Sequence, residues 1–315
     1  MATLLVIGGT GFFGKSILDS YKRELLNFWN INKVIVMSRN ADAFRANYPE
    51  LITPGVELLV GDIATIDFLP EADFVIHAAA STDSSRYLNH GEEEKNNIIA
   101  GTLNYCKLAI KFHKKSKIIF CSSGAVYGYQ PENLKSLKED DELGDISSLD
   151  EVKKSYAYAK RDSELAIQEL AKKNLNVVIA RCFSFVGRYL PKDQHFAIGN
   201  FISDGMKGKD IFVKSEKSVY RSYMYADDLV IWLITLAENA NSNCPVYNVG
   251  SDKEIEIRKL ANTIADIFDV NVTSEKIDHN LVDRYIPSIK KAKIQFNLSN
   301  TLSLKESIIL STRFL

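Results

Sequence analysis

Tyr156 and Lys160, in the run Ser155-Tyr-Ala-Tyr-Ala-Lys160, stand four residues apart. On a helix that spacing puts both side chains on one face. A phenol has an ordinary pKa of about 10 and is a poor proton carrier near neutrality. An ammonium beside it stabilises the phenolate and brings its proton within reach of general acid/base work. The pair is weak evidence alone, because a chain with 14 tyrosines contains about one Tyr-x-x-x-Lys by chance. Its weight comes from the residues that accompany it.

The first of these is Gly8-Gly-Thr-Gly11-Phe-Phe-Gly14, which follows an apolar run and opens a helix-length segment. In that context one glycine allows a tight turn, one lets backbone N–H groups approach a pyrophosphate, and one permits close packing of helix on strand. The loop therefore reads as a dinucleotide cradle. At the end of the next apolar run, where a carboxylate would bind the adenosine ribose of NAD, the sequence has Met37-Ser38-Arg39. A hydroxyl followed by a guanidinium suits a 2′-phosphate, so NADP is expected in preference to NAD. The plain alternative is a solvated arginine in a turn. Asp62 is placed to accept from an adenine amino group or to serve as an ordinary turn aspartate.

These residues need a frame. Leu4-Ile7, Val34-Met37, Glu57-Val60, Phe74-His77, Lys117-Cys121 and Asn176-Ala180 read as buried strands, which predicts a parallel sheet covered on both faces. Phe13–Leu26, Glu92–Phe112 and Tyr156–Lys172 read as helices between them. The expected class is α/β, a Rossmann-type doubly wound parallel sheet with a smaller C-terminal substrate-binding lobe. The dinucleotide-binding domain is expected over 1–182, with 222–250 returning to it, and the lobe over 183–221 and 251–315. Gln130–Asp150, with Pro131, Gly144 and many charges, reads as a long surface loop. A late strand is expected at Val246–Asn248.

The bulk composition excludes several classes. The chain has 315 residues, 46% hydrophobic and 25% charged, with 39 basic against 40 acidic side chains and a formal charge of −1. Nothing in that balance draws a polyanion, so no nucleic-acid partner is expected. Cys106, Cys121, Cys182 and Cys244 are scattered without metal-ligand spacing, which points to a reduced, cytoplasmic setting and to no metal. No run approaches the roughly 20 apolar residues of a membrane span.

With these residues in view, the chain resembles the extended short-chain dehydrogenase/reductases, a family of NAD(P)-dependent nucleotide-sugar epimerases, dehydratases and reductases. The matching pieces are Gly8 to Gly14, Gly61-Asp-Ile63, Val75-Ile-His-Ala-Ala-Ala80, Cys121-Ser-Ser-Gly-Ala-Val-Tyr-Gly128, Tyr156 to Lys160 with Glu164, and Arg221-Ser-Tyr-Met-Tyr-Ala-Asp-Asp-Leu229. The resemblance implies Ser123, Tyr156 and Lys160 as catalytic residues. It implies cofactor contacts from Gly8, Gly11, Phe12, Phe13, Gly14, Ser38, Arg39, Asp62, Ile63, Ala78, Ala79, Ala80, Tyr156 and Lys160. On the substrate side it implies Ser81, Thr82, Ser123, Ser184, Asn200, Arg221 for the diphosphate, and Arg284 as a second arginine near the nucleotide. Ser184 stands where the family commonly has asparagine, and Arg188 where it has proline, so contacts there differ from the common pattern. A homodimer through Glu92–Phe112 and Tyr156–Lys172 is also implied.

Ser123 lies just past the fifth predicted strand, where it can bond a carbonyl or alcohol oxygen. Tyr156 is expected to pass a proton to or from that oxygen while hydride moves at the same carbon, with Lys160 lowering its pKa. His77 reads as a strand-end core histidine. The dehydratases of the family need an Asp-Glu pair after the catalytic hydroxyl, and here Gly124-Ala125 takes its place. The leading expectation is a 4-ketoreductase acting on a nucleoside-diphospho-4-keto-6-deoxyhexose. The alternatives are a C4-epimerase with tightly held cofactor and a non-catalytic NADP-binding sensor or interaction protein.

Overall fold

The computed structural model describes residues 1–81, 84–192 and 196–313. Thr82, expected as a substrate contact, lies outside the described residues. Apolar runs rich in β-branched residues become the strands of one main sheet: β1 (Ala2–Ile7), β2 (Ile31–Ser38), β3 (Val56–Val60), β4 (Phe74–His77), β5 (Lys117–Ser123), β6 (Asn176–Cys182) and β7 (Val246–Val249). Their order is β7-β6-β5-β4-β1-β2-β3. Every registered pair among β1 to β6 is parallel. From β3 the chain crosses to the other side of β1, so the order reverses at β1, and the crevice beyond such a reversal is where open α/β sheets bind ligands. Leu4, Leu5, Val6 and Ile7 are fully buried, as a central parallel strand requires.

The helices include α1 (Phe12–Lys22), α2 (Ala41–Asn47), α3 (Ser84–Phe112), α4 (Glu151–Ala171), α5 (Ala197–Met206), α6 (Ala226–Glu238) and α7 (Ile257–Phe268). Three depart from expectation. α1 stops four residues early: Glu24 takes a left-handed φ of 62°, and Glu24 N and Leu25 N bond back to Tyr21 O and Ser20 O at 3.0 Å each. That is a Schellman-type stop without its usual glycine, so the residue types announce no end. α3 begins a full turn or more before Glu92, and its non-helical geometry at His90 (φ −140°, ψ 37°) marks a kink there. α4 starts at Glu151 because Asp150 caps it, accepting from Lys153 N at 3.0 Å.

The chain divides into two compact units. The first comprises Met1–Val126, Ser148–Cys182 and Val230–Tyr247, and the second Tyr127–Ser147, Phe183–Leu229 and Asn248–Leu315. The first unit's core includes Leu5, Ile7, Ile35, Val75, Phe120, Ile167 and Ile179. Within the second, Ile198, Phe201 and Ile202 of α5 pack with Leu260, Ala261 and Ile264 of α7. There Lys217–Arg221 pairs antiparallel with Ile255–Glu256 and parallel with Asp278–Tyr285. The charged loop after Tyr127 is irregular but anchored. Leu137 N donates to Ile286 O at 2.9 Å, Ser288 N donates to Leu137 O at 2.7 Å, and Asn248 Nδ2 donates to the same carbonyl at 2.9 Å. No helix among the described residues is long and apolar enough to cross a membrane.

Candidate active site

The loop between β1 and α1 is shaped by what cannot fit there. Gly8 has φ +82°, and a Cβ on it would lie 2.6 Å from Ala79 Cα; only glycine lets β1 turn this close to the strand-end alanines. A Cβ on Gly14 would lie 1.9 Å from Gly9 O, so the third glycine sets how closely α1 packs on the turn. Gly11 caps α1 with no side-chain hydrogen bond, and the first turn carries no acidic residue. The N-terminal end of such a helix favours an anionic ligand. A cradle closed to any Cβ and a first helical turn without a carboxylate fit a dinucleotide pyrophosphate at Gly8, Gly11, Phe12, Phe13 and Gly14. Ala78 N bonds Ile7 O at 2.9 Å, which holds Ala78, Ala79 and Ala80 beside the loop. Ser81 follows, its carbonyl accepting the Tyr87 hydroxyl at 3.0 Å.

At the end of β2, Ser38 Oγ lies 2.9 Å from Thr10 Oγ1 and accepts from Asn40 N at 3.2 Å. Arg39 reaches across to Asp62, Nη1 to Oδ2 3.8 Å, and both side chains are open to solvent. Asp62 also accepts from Ala64 N at 2.9 Å, the bond of a turn aspartate. Ile63 packs into the core, and its carbonyl accepts from Asn104 Nδ2 at 2.9 Å.

Ser123, Tyr156 and Lys160 meet in the first unit. Ser123 closes β5, buried, its Oγ accepting from Ala125 N at 3.1 Å, and it favours the phenolate of Tyr156. Tyr156 is half-buried on α4, with the Tyr87 ring edge-on at 5.8 Å. Lys160 is 2% exposed; its Nζ donates to Cys121 O at 2.8 Å and lies 5.7 Å from the centre of the Tyr156 ring.

The electrostatics differ from the sequence expectation. Burial drives the Tyr156 phenol well above 10, and Tyr87 adds to the rise, while the Ser123 hydrogen bond opposes it. The same burial lowers Lys160 itself to about 8, with Cys121, Cys182 and Glu164 acting the other way. In the ligand-free chain the tyrosine is therefore a neutral acid, poised to give a proton. His77 is held neutral: burial and then Lys160 push it to about 3, between the rings of Tyr105 at 5.0 Å and Phe120 at 5.4 Å.

The remaining expected residues lie in the second unit. Ser184 O accepts from Met224 N at 3.0 Å, and Asn200 sits half-buried on α5. Arg221 is bidentate to Asp283, Nη1–Oδ1 3.2 Å and Nη2–Oδ2 2.9 Å, and also donates to the carbonyls of Tyr220 and Asp283. Arg284 pairs with Glu254 and stacks on Tyr220 at 4.3 Å. Arg221 is in register with Tyr285, and Arg284 with Tyr220, so alternation sends the two arginines to opposite faces of the strand pair. The structure does not bring them together.

Sequence reasoning missed Thr10, Tyr87 and the pairing of Glu164 with Arg181. Only the last had a signal: a guanidinium ending the apolar run Val177-Val178-Ile179-Ala180 demands a partner.

A reversed parallel sheet, a glycine cradle at the point of reversal and a serine–tyrosine–lysine cluster beside it define a dinucleotide-dependent oxidoreductase fold of the extended short-chain dehydrogenase/reductase type. The chain belongs to the NAD-dependent epimerase/dehydratase family of enzymes, whose model matches residues 4–250. It is 26% identical over 310 residues to UDP-glucuronic acid decarboxylase 3 of Arabidopsis thaliana, covering 97% of this chain and 86% of that one. Among solved structures, the UDP-glucose 4-epimerase of Thermotoga maritima with UDP-glucose superposes with a TM-score of 0.81 at 21% identity, covering 98% and 97% of the two chains. The dTDP-glucose 4,6-dehydratase of Streptomyces venezuelae with NAD bound gives 0.80 at 21% identity, covering 97% and 94%. At that identity the two structures establish the fold.

Proposed function

We propose that the chain is a nucleotide-sugar oxidoreductase acting at a ring carbon that alternates between alcohol and ketone. The observation that carries this reading is a neutral Tyr156 that senses Ser123 and has the buried Lys160 ammonium 5.7 Å from the centre of its ring. Ser123 donates to the substrate oxygen and fixes its position. Tyr156 gives that oxygen its proton during reduction or takes it during oxidation. Lys160, charged below about pH 8, stabilises the phenolate left behind and is then the group through which the site recovers its proton. The nicotinamide dinucleotide supplies or accepts the hydride when bound. The glycine loop, Ser38, Arg39, Asp62 and Ala78–Ala80 hold it, and Ser38-Arg39 favours the 2′-phosphate of NADP. Arg221 is proposed for the substrate diphosphate, which would take the place of the Asp283 carboxylate. Ser81, Ser184 and Asn200 are proposed as sugar or nucleotide contacts.

Gly124-Ala125 offers no acid and no base beyond the triad, which disfavours net dehydration. The reading adopted is reduction of a nucleoside-diphospho-4-keto-6-deoxyhexose by NADPH. A second reading is supported by the decarboxylase relative and by the epimerase fold: oxidation followed by re-reduction on one retained cofactor, with epimerisation at C4 or loss of a C6 carboxyl made β to a ketone as the net result. Both readings use the same three residues. Mixing the enzyme with NADPH and the 4-keto-6-deoxy sugar nucleotide separates them. Stoichiometric loss of absorbance near 340 nm is the expected result, and an isomerised or decarboxylated sugar with no net cofactor consumption establishes the second.

We also propose that the chain acts as a homodimer in a reducing compartment. Leu88 and Leu103 on α3 and Tyr158 and Leu165 on α4 are exposed, and the four cysteines are free thiols.

A further inference from the structure

Glu164 lies one helical turn beyond Lys160 on α4, and its side chain is 5% exposed. Oε1 accepts the Ser122 hydroxyl at 2.5 Å and Arg181 Nε at 3.1 Å, and Oε2 accepts Arg181 Nη2 at 2.8 Å. Ser122 and Arg181 are register partners on β5 and β6, so one carboxylate ties α4 to two strands at one level of the sheet. Ser122 stands between Cys121, whose carbonyl holds Lys160 Nζ, and Ser123, which acts on the Tyr156 phenol. The bond therefore grips β5 at the residue flanked by both contacts. A buried ion pair is a weak source of stability because desolvation offsets most of its attraction, and fixing a unique geometry is the better use of one.

We propose that Glu164, with Arg181, is a positioning pair that holds α4 in register on β5 and β6, keeping Tyr156 and Lys160 on Ser123, and that its carboxylate sustains the charge of the buried lysine. This rests on the reading of Ser123, Tyr156 and Lys160 as a proton-transfer site. Around the ammonium stand Tyr156 and Glu164 from its own helix, Cys121 from β5, Cys182 from β6 and His77 from β4, with Tyr87 of α3 behind Tyr156 and Arg181 behind the carboxylate. Of these, Glu164 is the carboxylate, and it raises Lys160 against the effect of burial. Glu164→Gln keeps an acceptor for Ser122 and Arg181 and removes that support.

The test follows urea stability of the ligand-free protein from pH 6 to 10, with Lys160→Met as the control that removes the lysine's contribution. In the wild type the lysine-dependent part of the stability climbs from near pH 8, where native Lys160 loses its proton while the unfolded chain keeps it. In Glu164→Gln that onset moves down by about one pH unit, and Glu164→Asp restores most of it. With an active substrate, the alkaline limb of kcat moves by the same amount while KM changes less than about twofold. An unmoved onset overturns the proposal. Should Glu164→Gln fail to fold, the paired replacement Glu164→Met with Arg181→Leu, a kind of exchange buried pairs tolerate, is read in the same way, and a wild-type onset there overturns it equally. A shifted onset in a protein that turns over no sugar nucleotide would discard the enzymatic reading and leave the positioning pair standing.

Discussion

Lys160 should weaken the fold it serves. It is 2% exposed, and burial lowers its pKa from 10.5 to about 8, a displacement of about 3 kcal/mol in favour of the neutral amine. At pH 7 the native protein carries that cost, because the lysine is charged in both the folded and the unfolded chain. Lys160→Met removes it, fills a similar volume, and leaves Cys121 O without its 2.8 Å donor, a loss of about 1–2 kcal/mol. The net expectation is a gain of about 1–2 kcal/mol at pH 7, roughly 2–8 °C in Tm for a domain of this size class. The gain should vanish or reverse by pH 10, where the native amine is already neutral. Calorimetry of the ligand-free proteins at both pH values reads the difference, and turnover of the variant should be lost. A variant less stable than wild type at pH 7, or a gain of equal size at both pH values, refutes the reasoning.

Other substitutions test other parts of the site. Tyr156→Phe should reduce kcat by about 10²–10⁴-fold while dinucleotide binding, followed by fluorescence, stays near wild type; retained turnover removes Tyr156 from the mechanism. Gly14→Ala places a Cβ 1.9 Å from Gly9 O, so dinucleotide affinity and Tm should both fall, and unchanged values would mean that the loop accommodates a side chain. Arg39→Ala should weaken NADPH binding by about tenfold or more and leave NADH within about twofold, since a guanidinium–phosphate bond is charge-assisted; equal losses dismiss the 2′-phosphate role. Leu165→Glu, at a side chain 61% exposed on α4, should shift the protein toward monomer in sedimentation, and an unchanged sedimentation coefficient places any interface elsewhere.

Local signals carried much of the fold. Phe74–His77 is a strand with the predicted bounds, because three apolar residues and a histidine between turn signals leave the backbone little else to do. The glycine loop was equally legible, since its spacing is a statement about where a Cβ cannot be. Helix ends were less so. α1 ends at a left-handed Glu24, a conformation usually left to glycine, and α3 begins within the Ser-Ser-Arg stretch, before the helical pattern becomes clear.

What the sequence determined by itself is the set of parts: alternating strands and helices, a cradle for an anion, and a serine, a tyrosine and a lysine at spacings that place them on known elements. Those are properties of neighbours in the chain, which local sterics and periodicity decide. The tertiary structure decided what the parts do to one another. Burial makes Tyr156 a firmly protonated acid and Lys160 a weak base. The strand register turns Arg221 and Arg284 to opposite faces, and β5 and β6 converge on one carboxylate of α4. Solvation and through-space charge depend on residues tens of positions apart, and no spacing along the chain encodes them.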